Sequence, residues 1–380
     1  MSQKQNKVLN KINYDSGQKT PSGTISNDEC YTPLQSIIDE IKNYPSSYFF
    51  KKNGLSPFDW DLFSDHPEIY GIKFRFNENG DVDEVVNLTC DENNRACPCE
   101  TDTISIIDIS YDNNAKKFFI NDKEVHGPRC NFIKAVLNYA KIWKPKSWTF
   151  SGYNPAKLQG IDYKTYDYKD FDIVITNPAF TCIKDFLNKL IQSKTNFIIL
   201  SDFLSRGNPR VGLHLMLKEC YLGFNIHNDI PFENWDIQKM IIVRKKKIVA
   251  TDWITSYKDA EEKRVKSPFK SGIKYEIYKD DYPIMKTVIM KDGSHPIRLN
   301  NFKSLPDDYY GWFFSSVGAL DSLDGTNFEW YGTHYTAWHN SNPDKTPFDL
   351  SKFENNKYNE KWQVLNGKKL FNGIIARRRK

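Results

Sequence analysis

The stretch that most constrains this chain is Phe171 to Leu200. It opens with FDIVIT, in which Phe171, Ile173, Val174 and Ile175 make a short buried strand. Thr176, Asn177 and Pro178 stop that strand with polar side chains and a proline. A helix follows from Cys182 to Ser193, and NFIIL, Asn196 to Leu200, reads as a second buried strand. Strand, helix and strand in that order predict a parallel sheet in an α/β fold.

In an open α/β sheet, ligands gather at the carboxyl ends of the strands, so Asn177 is expected to face a crevice. Its amide oxygen, like the backbone carbonyl of Pro178, can accept a hydrogen bond from an exocyclic amine. Phe180 offers a face on which a planar base stacks, worth about 1–3 kcal/mol. Asn177, Pro178 and Phe180 together describe a pocket for an amino-bearing base taken out of its stack. An Asn-Pro turn after an ordinary core strand explains the same letters without a ligand.

Asp/Asn-Pro-Pro-aromatic after a strand is the catalytic signature of amino-methyltransferases that use S-adenosylmethionine. This stretch resembles it, with Ala179 at the second proline. The wider chain is similar to the EcoRI-type adenine-specific DNA methyltransferases in three blocks. One is NDECYTP, Asn27 to Pro33, with the helix after it; another is Phe171 to Leu190 with its following strand. The third is the carboxyl-terminal run from Leu305 to Gly332 and on through NGKKLFNGIIARRRK. The resemblance implies a Rossmann-like methyltransferase sheet, S-adenosylmethionine as cofactor, double-stranded DNA as partner and a possible companion restriction endonuclease. It also implies that Tyr31 packs on the cofactor's adenine and that Thr32 bonds its polar end. In that fold the first strand-to-helix turn approaches the cofactor. HGPRCNF resembles the family's turn, which assigns Gly127, Pro128 and Asn131 to cofactor binding. No FxGxG occurs, so Gly127 alone gives the backbone access there. WITSY, Trp253 to Tyr257, resembles a Trp-x-Thr-Asn block with Ser256 at the Asn.

Length allows one large or two medium domains over 380 residues. A hydrophobic content of 39% with 14% aromatics is globular rather than disordered. The net charge of +5 suits a polyanionic partner without requiring one. No run of 18 apolar residues is present to span a membrane. The start is polar and lacks the apolar core of a signal peptide, so a soluble, monomeric, cytoplasmic protein is expected. Seven scattered cysteines fit reduced thiols.

Residues 1–27 read as a flexible arm rich in Gly, Ser, Thr, Asn and Lys. A methyltransferase domain is expected over 28–262. Its first helix starts at Thr32-Pro33 and carries Leu34, Ile37, Ile38 and Ile41 on one face. Within it, about 53–125 reads as a β-rich insertion of hairpins, with turns at NENGD and DNNAK. Cys90, Cys97 and Cys99, with Cys130 or His126, raise a zinc site against a plain cysteine-containing loop; their C-x6-C-x-C spacing lacks the usual knuckle, and no metal is expected.

A helix with Phe132, Val136, Tyr139 and Ala140 inward precedes SWTFS, the expected second strand. The tyrosines between Tyr153 and Tyr168 allow base stacking or a surface loop. A second helix is expected over Val211–Cys220, and Lys239–Thr251 reads as strand-turn-strand with Arg244 to Lys247 at the turn. Those four cations meet phosphates or simply solvate a hairpin. Lys263–Lys274 reads as a linker, and 275–380 as a small α+β lobe. Its aromatics between Trp312 and Trp338 read as a DNA-reading surface and as the lobe's own core, two compatible readings since recognition needs a folded platform, and Arg377 to Lys380 close the chain.

The function expected is adenine-N6 methylation of DNA, with orientation and electrostatics rather than a covalent intermediate supplying the rate. Cytosine-N4 methylation uses the same acceptors. A decayed scaffold that only binds nucleic acid, and methylation of RNA or a protein Gln, are the alternatives.

Overall fold

The computed structural model describes residues 30–45, 55–61, 72–87, 109–115, 117–120, 122–124, 135, 142, 147–154, 159–160, 163–164, 167–178, 180, 182–202, 205, 209–226, 228–236, 241–264, 270–286, 288–323, 327–332, 349, 364–365, 368–369 and 373–380. It is a mixed α/β structure with several sheets. The chain divides into two compact units, Met1–Phe203 with Leu222–Tyr257, and Leu204–Tyr221 with Lys258–Lys380.

Unit one begins with β1 (Cys30–Tyr31) and α1 (Leu34–Ile41), followed by β2 (Leu55–Asp61), β3 (Ile72–Phe76), β4 (Val82–Asn87), β5 (Ile109–Asp112), β6 (Lys117–Ile120) and β7 (Lys123–Glu124). Next come β8 (Ser147–Asn154), β9 (Gln159–Gly160), β10 (Ile173–Thr176), α2 (Ile183–Ser193) and β11 (Asn196–Asp202). A short β12 (Tyr221–Leu222), which straddles the boundary between the units, precedes β13 (Asn228–Asp236) and β14 (Ile241–Thr255).

The expected strand, helix and strand are β10, α2 and β11. β10 and β11 pair in parallel, from Ile173 opposite Asn196 to Thr176 opposite Ile199. All four β10 residues are buried, as an apolar run covered on both faces requires. α2 lays Phe186, Leu187 and Leu190 inward, and the Phe186 ring meets Tyr163 and Tyr168, each with centroids 5.7 Å away. The helix ends at Lys194 in the left-handed conformation, φ 57°.

β11 continues into an antiparallel ladder with β14, and β14 into another with β13, so the sheet runs β1-β13-β14-β11-β10. On its other side β10 runs alongside β2. β2 pairs in parallel with β8, which leads to β3 and β4. The expected hairpins form: β3 and β4 turn at Asn77–Asp81, where Gly80 takes φ 80°, and β5 and β6 turn after Asp112. β2 departs from that expectation. It lies in the stretch read as hairpins, yet its partner β8 is remote in sequence and parallel to it.

The basic turn is also corrected. Arg244 to Lys247 lie inside a 15-residue strand, β14; Lys247 pairs with Phe232 of β13, and the register shift between Phe232 and Asn234 falls opposite the other three. β13 was not foreseen because NDIPFENWD carries a proline and four polar residues before Trp235, and it needs a register shift between Phe232 and Asn234 to pair.

Unit two contains α3 (Pro209–Met216), α4 (Lys258–Arg264), α5 (Tyr275–Tyr278), β15 (Ile297–Arg298), β16 (Phe313–Ser316), β17 (Phe328–Gly332), β18 (Val364–Leu365), β19 (Lys368–Lys369) and β20 (Gly373–Arg378). Its main sheet is ordered β15-β16-β20-β17, with β15 and β16 parallel and the rest antiparallel. α3 packs against β17. Trp312, Phe313, Phe314, Phe328 and Trp330 are buried in this unit, so these aromatics are its core. Lys270–Lys274, within the expected linker, is held by Asp307, which accepts from the Ser271 and Gly272 amides at 2.7 and 2.9 Å.

Candidate active site

β10 delivers Asn177 to its carboxyl end, with Pro178 buried immediately after it. Asn177 is half-buried, and its amide is anchored on one side. Its Nδ2 donates to Thr32 Oγ1 at 2.9 Å, across 145 residues of sequence. Asn177 Oδ1 is buried and has no hydrogen-bond partner among the described residues. An unsatisfied buried acceptor costs about 1–3 kcal/mol, and an incoming N–H donor removes that cost. Two residues assigned to different roles, base capture and cofactor binding, therefore meet in one polar pair.

Thr32 reaches this place through β1 and α1. β1 pairs antiparallel with β13, Cys30 opposite Asn234 and Tyr31 opposite Glu233, which fixes the segment before Thr32. Pro33 then caps α1, and its carbonyl accepts from Ser36 N at 3.0 Å. Thr32 itself is only 3% exposed. Of the stripe the spacing predicts, Ile37 and Ile41 are buried while Leu34 and Ile38 are half-buried; Tyr44, just past α1, is also buried, and so is a carboxylate on the helix.

That carboxylate, Glu40, is 0% exposed and accepts four hydrogen bonds. Tyr44 Oη and Phe224 N donate to Oε1 at 2.6 and 3.0 Å, while Asn225 N and Nδ2 donate to Oε2 at 2.8 and 2.9 Å. Glu40 thereby clamps α1 to the 223–225 turn that leads to β13. Burial raises its pKa against the lowering pull of these donors, Tyr44 foremost. Burial, then the neighbouring Glu40, pushes the Tyr44 phenol well above its ordinary range. Sequence reasoning passed over Glu40. A lone Glu at the helical spacing of Ile37, Ile41 and Tyr44 was the available signal, since a charge on an apolar stripe must be paired.

Phe180 is half-buried, beyond Ala179, which lies outside the described residues. Cys182, partly exposed and in no disulfide, stands immediately before α2. Gly127, Pro128 and Asn131 lie outside the described residues, as do Cys90, Cys97, Cys99, Cys130 and His126. Among the described residues no His, Cys, Asp and Glu cluster is arranged to hold a metal. Tyr163 and Tyr168 are buried against Phe186, so these two tyrosines are interior packing. Ser256 Oγ accepts from Phe197 N at 3.0 Å and Thr255 Oγ1 donates to Phe197 O at 3.0 Å, joining β14 to β11.

In unit two, Arg377 stacks on Trp312, 4.3 Å from the ring centroid, and its Nε donates to Glu329 at 2.8 Å. Arg378 lies 5.1 Å from the Phe328 centroid. Both cations thus have partners within their own unit. Trp338 lies outside the described residues. No helix among the described residues is long and apolar enough to cross a membrane.

No family model, curated protein or solved structure matches the chain. What the chain does therefore rests on its own geometry.

Proposed function

We propose that this chain is an amino-methyltransferase that moves a methyl group from S-adenosylmethionine to the N6 amine of an adenine flipped out of double-stranded DNA. The observation that carries the reading is Asn177: a strand-end amide with one side tethered and the buried oxygen unpaired. An exocyclic amine is a donor of the kind that oxygen lacks.

The strand arrangement supports the same reading. Taken in order, β8, β2, β10, β11 and β14 alternate two parallel pairs with a closing antiparallel strand, and Asn177 leaves the middle strand. A Rossmann-like methyltransferase sheet has such an antiparallel member at one side, and its ligands sit at the carboxyl strand ends. The order of domains proposed is an arm over 1–27, a methyltransferase domain and a carboxyl-terminal DNA-recognition lobe.

When bound, S-adenosylmethionine supplies a methyl group on a positively charged sulfur. The buried acceptor at the end of β10 fits a site for this group and its target amine, and Tyr31 and Thr32 would hold the cofactor beside it. Asn177 Oδ1 and the Pro178 carbonyl accept the two amine hydrogens, which turns the nitrogen lone pair out of the base plane toward the methyl donor. Phe180 stacks on the base. As the nitrogen–carbon bond forms and the carbon–sulfur bond breaks, leaving a neutral thioether, positive charge develops on the amine and would strengthen both hydrogen bonds, so the acceptors stabilise the transition state more than the ground state; the amine then loses one proton to solvent. No thiol is needed, and Cys182 has no part in the step.

The acceptors alone do not discriminate adenine from cytosine N4; the resemblance of the carboxyl-terminal block supports adenine. Titration calorimetry with S-adenosylmethionine, followed by transfer of labelled methyl to mixed-sequence DNA, tests the reading. Binding and transfer are expected. Absence of binding contradicts it and favours a scaffold that only holds nucleic acid.

A further inference from the structure

We propose that Asp202 is a further catalytic residue, the carboxylate through which the amine proton leaves the site. The inference rests on the methyltransferase reading and deepens it. An amide and a backbone carbonyl accept hydrogen bonds but do not ionise, so Asn177 and Pro178 can hold the amine hydrogens and cannot carry one away. A positioned carboxylate can.

The sheet sets one beside Asn177. β10 and β11 run parallel with Thr176 opposite Ile199, so Asn177 follows at the level of Leu200. Successive side chains alternate between the faces of a sheet and opposite residues share one, so Leu200, Asp202 and Trp253, which pairs with Leu200, belong to a single face. α1 covers that face, because Trp253 Cβ and Glu40 Oε1 both stand against Gly223. Thr32, just before α1, accepts from Asn177 Nδ2 and so places the amide on the face that carries Asp202.

Asp202 lies one step nearer the crevice than Leu200. At about 3.3 Å per residue and about 4.8 Å between strands, its Cα stands about 8 Å from that of Asn177, room for two side chains with an amine between them. Asp202 is half-buried at the carboxyl end of β11, where ligands of an open α/β sheet gather. On its other flank Thr251 is 1% exposed, and its Oγ1 donates to Asn228 O at 3.0 Å, so that side is buried and uncharged.

In the step itself the nitrogen lone pair forms the bond to the methyl carbon and the carbon–sulfur pair stays on sulfur. The nitrogen–hydrogen pair returns to nitrogen as its proton passes to an Asp202 carboxylate oxygen. From that part-exposed residue the proton goes on to solvent.

The test compares Asp202→Asn, Asp202→Glu and Asp202→Ala with the parent in single-turnover transfer of labelled methyl to DNA, at saturating S-adenosylmethionine. Asp202→Asn keeps the shape and loses the proton acceptor, and its rate is expected to fall at least about 100-fold, the lower end for general base catalysis. Its S-adenosylmethionine Kd from calorimetry is expected to stay within about threefold, since Asp202 acts on the amine and not on the cofactor. Asp202→Glu is expected to be faster than Asp202→Asn. Acetate added to Asp202→Ala is expected to restore transfer in proportion to its concentration, and more than the weaker base fluoroacetate, because proton transfer follows the basicity of the acceptor. A residue that only supports the fold gives no such ordering.

An Asp202→Asn rate within about threefold of the parent overturns the proposal, as does a loss confined to the S-adenosylmethionine Kd. Absence of rescue in a folded Asp202→Ala chain overturns it too. Where that chain does not fold, equal loss in Asp202→Asn and Asp202→Glu does so. These outcomes leave the methyltransferase reading standing; a parent chain that transfers no methyl overturns that reading first, and this one with it.

Discussion

Gly223→Ala gives the sharpest test of how the amino-terminal segment is held. Gly223 lacks a left-handed backbone, so space and not conformational freedom requires glycine there. A Cβ at this position presses on Glu40 Oε1 and stands 2.7 Å from Trp253 Cβ. Neither neighbour can yield. Trp253 is 1% exposed near the carboxyl end of β14, and its carbonyl accepts from Gly223 N at 2.7 Å. Glu40 Oε1 is fixed by Tyr44 Oη and Phe224 N. Overpacking a filled interior costs about 1–3 kcal/mol. Displacing Oε1 loosens hydrogen bonds to a buried acid, worth about 1.5–3 kcal/mol when charged. Together the loss is about 2.5–6 kcal/mol, and at roughly 2–4 °C per kcal/mol it lowers the unfolding midpoint of this unit by about 5–24 °C. Scanning calorimetry on the full chain measures it. Gly318→Ala is the control: its Cβ meets only Ser316 Oγ at 3.6 Å, ordinary contact, and a change under about 0.5 kcal/mol is expected. A Gly223→Ala chain that melts within about 2 °C of the parent refutes the clamp, because two fixed neighbours cannot absorb that overlap at so small a cost.

Glu40 also makes stability depend on acidity. Its folded pKa is raised above the ordinary 4.5, so the folded chain holds that proton more tightly than the unfolded one. The resulting stabilisation is complete below the unfolded pKa and is lost as pH rises through the folded one. The stability difference between the parent and Glu40→Gln, measured by urea titration, is expected to shrink as pH rises from about 4, the reference range for Glu; a difference that grows over that interval contradicts it. Asn177→Ala is expected to lower methyl transfer at least about 100-fold, the loss typical of a lost transition-state contact, with the S-adenosylmethionine Kd from calorimetry unchanged. Phe180→Ala is expected to raise KM for DNA through about 1–3 kcal/mol of lost stacking, seen in steady-state kinetics; a parental KM removes Phe180 from the site. In unit two, Lys218 sits 4.8 Å from the Trp330 centroid and 3.3 Å from Glu261, and Lys218→Met is expected to cost about 1–2 kcal/mol in urea unfolding.

What could be read in the sequence was what neighbouring residues decide. FDIVIT and NFIIL are apolar runs bounded by breakers, and they became β10 and β11; Asn77 to Asp81 and the residues after Asp112 are turn chemistry, and they became hairpins. β2 and β13 were hidden for a different reason. LSPFDWD and NDIPFENWD each carry a proline and acidic residues, so no local period marks them, and their pairings to β8 and β14 are settled only by distant partners. Arg244 to Lys247 looked like a turn because four cations rarely fill a strand; they lie inside β14, where the register against β13 shifts between Val243 and Lys247. At the site, the single residues Asn177 and Thr32 were legible, but their hydrogen bond was not, since no spacing encodes a contact across 145 residues. The aromatic run near Trp312 contributes to the core of its unit, where Trp312, Phe313 and Phe314 are buried.

The measurement that bears most directly on the central claim is the fate of a labelled methyl group. The parent chain and Asn177→Ala, each shown to be folded, are incubated with labelled S-adenosylmethionine and DNA, and the DNA is digested to nucleosides. The account predicts label in N6-methyl-2′-deoxyadenosine for the parent and its near absence for Asn177→Ala. Label appearing equally with both proteins, or with neither, contradicts the assignment of Asn177 as the group that captures the amine.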